Sequence, residues 1–149
     1  MEITERISQL KQRFNQHSDW EDKYRELIKI GKESQGLPEE FQIEKYQVKG
    51  CQSQVWLRPA YQEGKINFMA TSDAVLVRGI VGLITYVYSG ESPQVILETE
   101  SNFLKEIGIT EHLSMNRTNG LASMLKQVKM YAMVYKTLAD KGIMNADHL

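Results

Sequence analysis

The longest apolar run in the chain, Ala74 to Tyr88, holds Arg78 as its one charged residue. Such a run has to be buried, and burying it sets the centre of the fold. It is shorter than the roughly 20 residues that cross a bilayer as a helix, so no membrane span is expected. It is rich in β-branched residues, yet too long and uninterrupted for an ordinary strand. The segment from Ser72 to Tyr88 therefore predicts a buried helix. Ser72 or Asp73 would cap its start, with the acidic residue complementing the helix dipole. Gly79 and Gly82 would let a second backbone approach closely.

Around that centre the chain reads as helices flanking a short β region. Ile3, Ile7, Leu10 and Phe14 recur on one face of a first helix. Asp19 is a candidate N-cap for a second, with Trp20, Tyr24, Leu27 and Ile28 inward and Gly36 and Pro38 as its stop. A polar connection over residues 37–45 follows. Two antiparallel strands are predicted at Gln47–Leu57 and Lys65–Ala70, separated by Pro59 and the turn Gln62-Glu63-Gly64-Lys65. A bulge at Gly50 would allow a third strand near Tyr46. Ser92-Pro93 opens a short helix with proline at its first position, and another is expected over 101–107. Asn116 to Asn119 leads into a long C-terminal helix with Leu121, Leu125, Val128, Ala132, Tyr135 and Leu138 inward. Gly142 ends it, and the tail from Ile143 to Leu149 is expected to fray. A chain of 149 residues with no repeat or linker fits one domain, here residues 1–149.

Charge and cysteine usage narrow the function. The net charge of −1 offers no electrostatic footprint for nucleic acid or an anionic membrane surface. Met1 to Arg6 is acidic and amphipathic, without an apolar signal core. With a single cysteine, that predicts a reducing, cytoplasmic compartment. The three histidines, His17, His112 and His148, have no metal-ligand spacing, and no phosphate-binding glycine loop occurs. No metal is expected. Tyr131 and Tyr135 read as core.

The one cysteine, Cys51, sits in Lys49-Gly50-Cys51-Gln52-Ser53-Gln54-Val55-Trp56. A lone thiol forms no internal disulfide and holds no cluster or structural zinc by itself. It can bond to sulfur from another molecule. Gly50 can take a positive φ and turn the chain sharply, exposing the thiol on a loop. Lys49, Arg78 and Arg117 are candidates for raising its thiolate fraction. Three readings stand at this point. Cys51 is a sulfur-carrying nucleophile, the centre of a one-cysteine redox enzyme or sensor that meets peroxide and passes through sulfenic acid, or an inert buried hydrophobe in an interaction module.

Gly50-Cys51-Gln52-Ser53-Gln54-Val55-Trp56 resembles the signature of the SufE-like sulfur acceptors, SufE and CsdE. The resemblance continues through Trp20-Glu21-Asp22-Lys23-Tyr24, Ser72-Asp73-Ala74, Val77-Arg78-Gly79 and the block Leu113 to Leu121. Met115-Asn116 departs from the family pattern, in which small residues and proline often precede the arginine. The resemblance implies an α+β fold of the SufE/NifU type: a small antiparallel sheet packed against helices, with a long C-terminal helix. It implies that Cys51 accepts persulfide sulfur from a pyridoxal-phosphate cysteine desulfurase of the SufS/CsdA type. It further implies that the sulfur passes to an iron–sulfur scaffold. Such a protein is a sulfur-transfer partner, not a stand-alone enzyme, and the cofactor belongs to the desulfurase. Gly50, Gln52 and Ser53 would serve as loop hinge and support. Asp73, Arg78 and Arg117 would hold the loop or meet the partner. Cluster scaffolds of related fold need several cysteines, so this chain would carry sulfur rather than a cluster.

Overall fold

The computed structural model describes residues 2–146, apart from the side chain of Asn116. Helix α1 (Ile3–Asn15) buries Ile3, Leu10 and Phe14. Helix α2 (Trp20–Glu33) is capped by Asp19, whose side chain accepts from the amide of Asp22 at 2.9 Å. Two short helical turns follow, and then the hairpin of β1 (Val55–Gln62) and β2 (Lys65–Ser72). Helix α3 (Val75–Tyr88) carries the apolar run. Short α4 (Pro93–Glu98) and α5 (Phe103–Glu106) lead to the long α6 (Met115–Asp140).

The α+β architecture matches the expectation from sequence: a two-stranded antiparallel sheet covered by helices, ending in a long C-terminal helix. Helix α3 lies against both β2 and α2. A Cβ placed on Gly79 would stand 2.1 Å from the carbonyl oxygen of Leu27, so the α2 and α3 backbones meet where only glycine fits. Alternate residues of β1 (Val55, Leu57, Pro59, Tyr61) face inward. Tyr61 stacks on Tyr135 at 4.7 Å between ring centroids, which joins the sheet to α6.

Several boundaries differ from the sequence reading. The first strand begins at Val55 and not at Gln47, because the chain reverses at Gly50. Gln47 instead bridges back to Trp56, and the amide of Val48 donates to the carbonyl of Val55. Pro59 does not separate the strands; it lies within β1 opposite Phe68. The backbone N–H and C=O of Phe68 both bond to the Ser89 hydroxyl. The pair is therefore a non-hydrogen-bonded one, where proline's missing donor leaves no gap in the ladder. The turn falls at Glu63 and Gly64, both with positive φ (52° and 76°), as a tight two-residue hairpin requires.

Neither Ser72 nor Asp73 caps α3. Ala74 occupies that position without a side-chain bond, and both polar residues turn toward Gln54. Helix α6 starts earlier than expected, with Ser114 as its cap accepting from the amide of Arg117. The tail expected to fray is docked as far as Ala146. Tyr61 donates its hydroxyl to the Ile143 carbonyl, and the amides of Gly64 and Ala146 bond to Met144 and Tyr61 carbonyls. Residues 147–149 lie outside the described residues. Among the described residues, no helix is long and apolar enough to cross a membrane.

Candidate functional site

Cys51 lies on the reversal between Val48 and Val55. Gly50 makes that reversal with φ of +85°, a conformation disfavoured for residues with a Cβ. On the near side the loop is fixed by the 2.8 Å bond from Val48 to Val55. On the far side it is fixed at Gln54. The Gln54 amide donates to Asp73 Oδ1 at 3.1 Å, and the Ser72 hydroxyl and Asp73 amide donate to its carbonyl at 2.7 and 3.3 Å. Only Lys49 through Ser53 lie between the two attachments.

The thiol is half-buried. Its sulfur points at the carbonyl oxygen of Gly120 on α6, 3.6 Å away. It borders a cavity of about 30 Å³ with a floor of Val77, Ile80 and Val81 from α3 and Met124 from α6. Gln52, Ser53, Val55, Arg117, Gly120 and Leu121 complete the walls. Burial pushes the Cys51 thiol above its ordinary pKa, because the thiolate loses its hydration. At rest, then, the sulfur is mostly a protonated thiol held against aliphatic carbon.

The structure distributes the sequence-predicted residues unevenly. Gln52, Ser53 and Arg117 line the cavity with Cys51, and Asp73 fastens the end of the loop. Arg117 sits in the first turn of α6, not before the helix. Arg78 does not line the cavity; its guanidinium donates to the carbonyl of Ser72 at 3.0 and 3.3 Å. Lys49 turns toward Gln47 and Glu44. The idea that positive charge raises the resting thiolate fraction therefore gives way to desolvation. His112 stacks on Trp20 at 4.6 Å and lines no part of the cavity, so it forms no pair with Cys51.

Gly120 and the α3 floor are the site residues that sequence reasoning missed. A Cβ on Gly120 would touch the Cα and Sγ of Cys51 at 3.5 Å. A glycine inside a helix is unfavourable by roughly 1 kcal/mol against alanine. That unexplained glycine was the available signal of a close contact.

A family model described as "SufE: Fe-S metabolism associated domain" matches residues 8–132. A SufE-like protein of Rhizobium meliloti is 36% identical over 119 residues, covering 76% of this chain and 85% of that protein. The cysteine desulfuration protein SufE of Plasmodium falciparum is 34% identical over 114 residues, covering 73% of this chain and 46% of that protein. The solution structure of a hypothetical protein from Thermus thermophilus shares the fold, with a TM-score of 0.73 at 22% identity over 89% of this chain and 96% of that one. Fold, cysteine block and family match converge: the chain belongs to the SufE family.

Proposed function

We propose that this protein accepts sulfur from a pyridoxal-phosphate cysteine desulfurase of the SufS/CsdA type onto Cys51 and relays it to an iron–sulfur scaffold. In this reading it raises desulfurase turnover by removing the product sulfur, and is not an enzyme by itself. The observation that carries the reading is a lone thiol on a loop reversed at Gly50, sheltered in a small apolar cavity beside Gly120.

The chemistry is a thiol–disulfide type of exchange. The Cys51 thiolate attacks the outer sulfur of the donor persulfide. A bond forms between Cys51 Sγ and that sulfur, the donor's S–S bond breaks, and the bonding pair leaves on the donor's inner sulfur. In the cavity the thiol is a poor nucleophile because burial holds it protonated. Docking that swings the loop outward about Gly50 returns the sulfur to a polar setting, where its pKa falls. Exposure and activation thus occur together. Returned to the cavity, the loaded sulfur is screened from solution reductants and oxidants. The same burial argues against the peroxide-sensor reading, which needs an accessible thiol of lowered pKa. A lone unpaired thiol also suits a reducing cytoplasm, the compartment that this reading proposes.

The test is to incubate the protein with such a desulfurase and free cysteine. Mass spectrometry should find one added sulfur on Cys51 and none on Cys51→Ser, with faster desulfurase turnover only for the former. Absence of sulfur on Cys51 beside an active donor would overturn the reading.

A further inference from the structure

The guanidinium of Arg117 stands out in the Cys51 cavity. Its Nη1 is sealed from solvent and has no hydrogen-bond partner among the described residues. A buried donor left without an acceptor costs about 1–3 kcal/mol, more when charged. A native fold that keeps one calls for an explanation. Arg117 and Cys51 line the same cavity of about 30 Å³, which exceeds the roughly 10–15 Å³ that a single small solvent-sized group requires. Cys51 Sγ is turned to the Gly120 carbonyl oxygen, and the orphaned Nη1 makes no hydrogen bond to it.

We propose that Arg117 holds the terminal sulfur of persulfidated Cys51 as an anion within this cavity, donating its Nη1 hydrogen to it. The proposal rests on the sulfur-acceptor reading above and names the residue that keeps the cargo. After transfer Cys51 carries Sγ–S–H. A persulfide is a stronger acid than its parent thiol, because the adjacent sulfur draws charge from the terminal one. The terminal proton leaves to solvent and the anion pairs with Arg117. Among the described residues no carboxylate lines the cavity: α3 and β1 face it with aliphatic side chains, the loop with Cys51, Gln52 and Ser53. The nearby Asp73 accepts from the Gln54 amide instead. Arg117 is the sole cation among the lining residues.

Pairing guards the cargo. An attacking thiolate is repelled by a negative terminal sulfur. When the loop swings out, Arg117 stays on α6, the terminal sulfur regains its proton, and it becomes a target for the recipient. Arg117 is thus a positioning residue for the loaded state, distinct from the nucleophile.

The experiment loads Cys51 chemically with inorganic polysulfide, so no desulfurase is involved. Polysulfide gives one sulfur to the thiolate and leaves as a chain one sulfur shorter. The near-ultraviolet absorbance of the persulfide anion is then titrated against pH in the wild type, Arg117→Gln and Arg117→Lys, with folding checked by circular dichroism. The Arg117→Gln midpoint should lie higher by about one pH unit, a tenfold loss of anion at a given pH. Arg117→Lys should fall between, and discharge by dithiothreitol should be about tenfold faster in Arg117→Gln. Superimposable titrations of wild type and Arg117→Lys or Arg117→Gln, whichever folds, overturn the proposal. That outcome leaves enzymatic transfer to Cys51 intact, whereas failure of a desulfurase to load Cys51 leaves the titration intact. The two failures are therefore separable.

Discussion

Gln54 and Asp73 clasp each other across the end of the cysteine loop. The Gln54 amide donates to Asp73 Oδ1 at 3.1 Å, while the Asp73 amide donates to the Gln54 carbonyl at 3.3 Å. The side-chain half of that clasp is removable without touching the cavity. Asp73→Ala should cost about 1 kcal/mol locally. Alkylation of Cys51 by a neutral reagent should quicken by roughly fivefold in the same variant, because the open loop is populated more often. Unchanged alkylation would show that the loop pivots without loosening at Gln54.

The buried thiol makes a pH prediction with a definite sign. Its folded pKa is raised by desolvation. The native state therefore holds its proton to higher pH than the unfolded chain. This contribution to stability is fully present below the unfolded thiol pKa and is lost as pH rises through the folded value. The midpoint for iodoacetamide alkylation of native Cys51 should lie above that of the chain in denaturant. A native midpoint at or below the denatured one would contradict the burial seen here.

Gly79 should tolerate no side chain. Alanine there would put its Cβ 2.1 Å from the Leu27 carbonyl oxygen, with backbone rather than a flexible side chain as the neighbour. Separating α2 from α3 should cost at least about 3 kcal/mol, measured by chemical denaturation. Gly82→Ala, whose Cβ would sit 3.2 Å from Ser34 Cβ, should cost about 1 kcal/mol.

Glu26 links α1 to α2 through Arg13 Nε at 2.6 Å and His17 Nε2 at 3.3 Å. Burial pushes its carboxyl pKa up, but the hydrogen bonds and charges of Arg13 and His17 outweigh it and hold the value below the ordinary one. A lowered carboxyl pKa gives stability present above the unfolded pKa and lost as pH falls through the folded one. Glu26→Gln should cost about 1 kcal/mol at neutral pH and flatten the acid limb of a thermal-unfolding series. An equally steep acid limb in the variant would assign acid sensitivity elsewhere.

What was legible in the sequence was what depends on nearby residues. Asp19 capping α2, Ser92-Pro93 opening α4 and Gly50 turning the cysteine loop are local chemistry, and all three occur. What was hidden depends on distant partners. Pro59 reads as a strand breaker until Ser89 is seen to take both backbone groups of Phe68. The tail reads as loose until Tyr61 and the hairpin turn are seen to bind it. Ser72 and Asp73 read as helix caps because Gln54, eighteen and nineteen residues earlier, is invisible to a local pattern. The cysteine was evident from its flanks; its cavity, made by α3 and α6, was not.

The two attachments of the cysteine segment set the length of its leash. Lys49 through Ser53, anchored at both ends, extend at most about 3.3–3.6 Å per residue and must double back. So short a tether carries a sulfur atom across a contact surface but not between separate berths. If Cys51 relays sulfur as proposed, giver and receiver must therefore visit the same face of this protein in turn, and the first has to depart before the second can land.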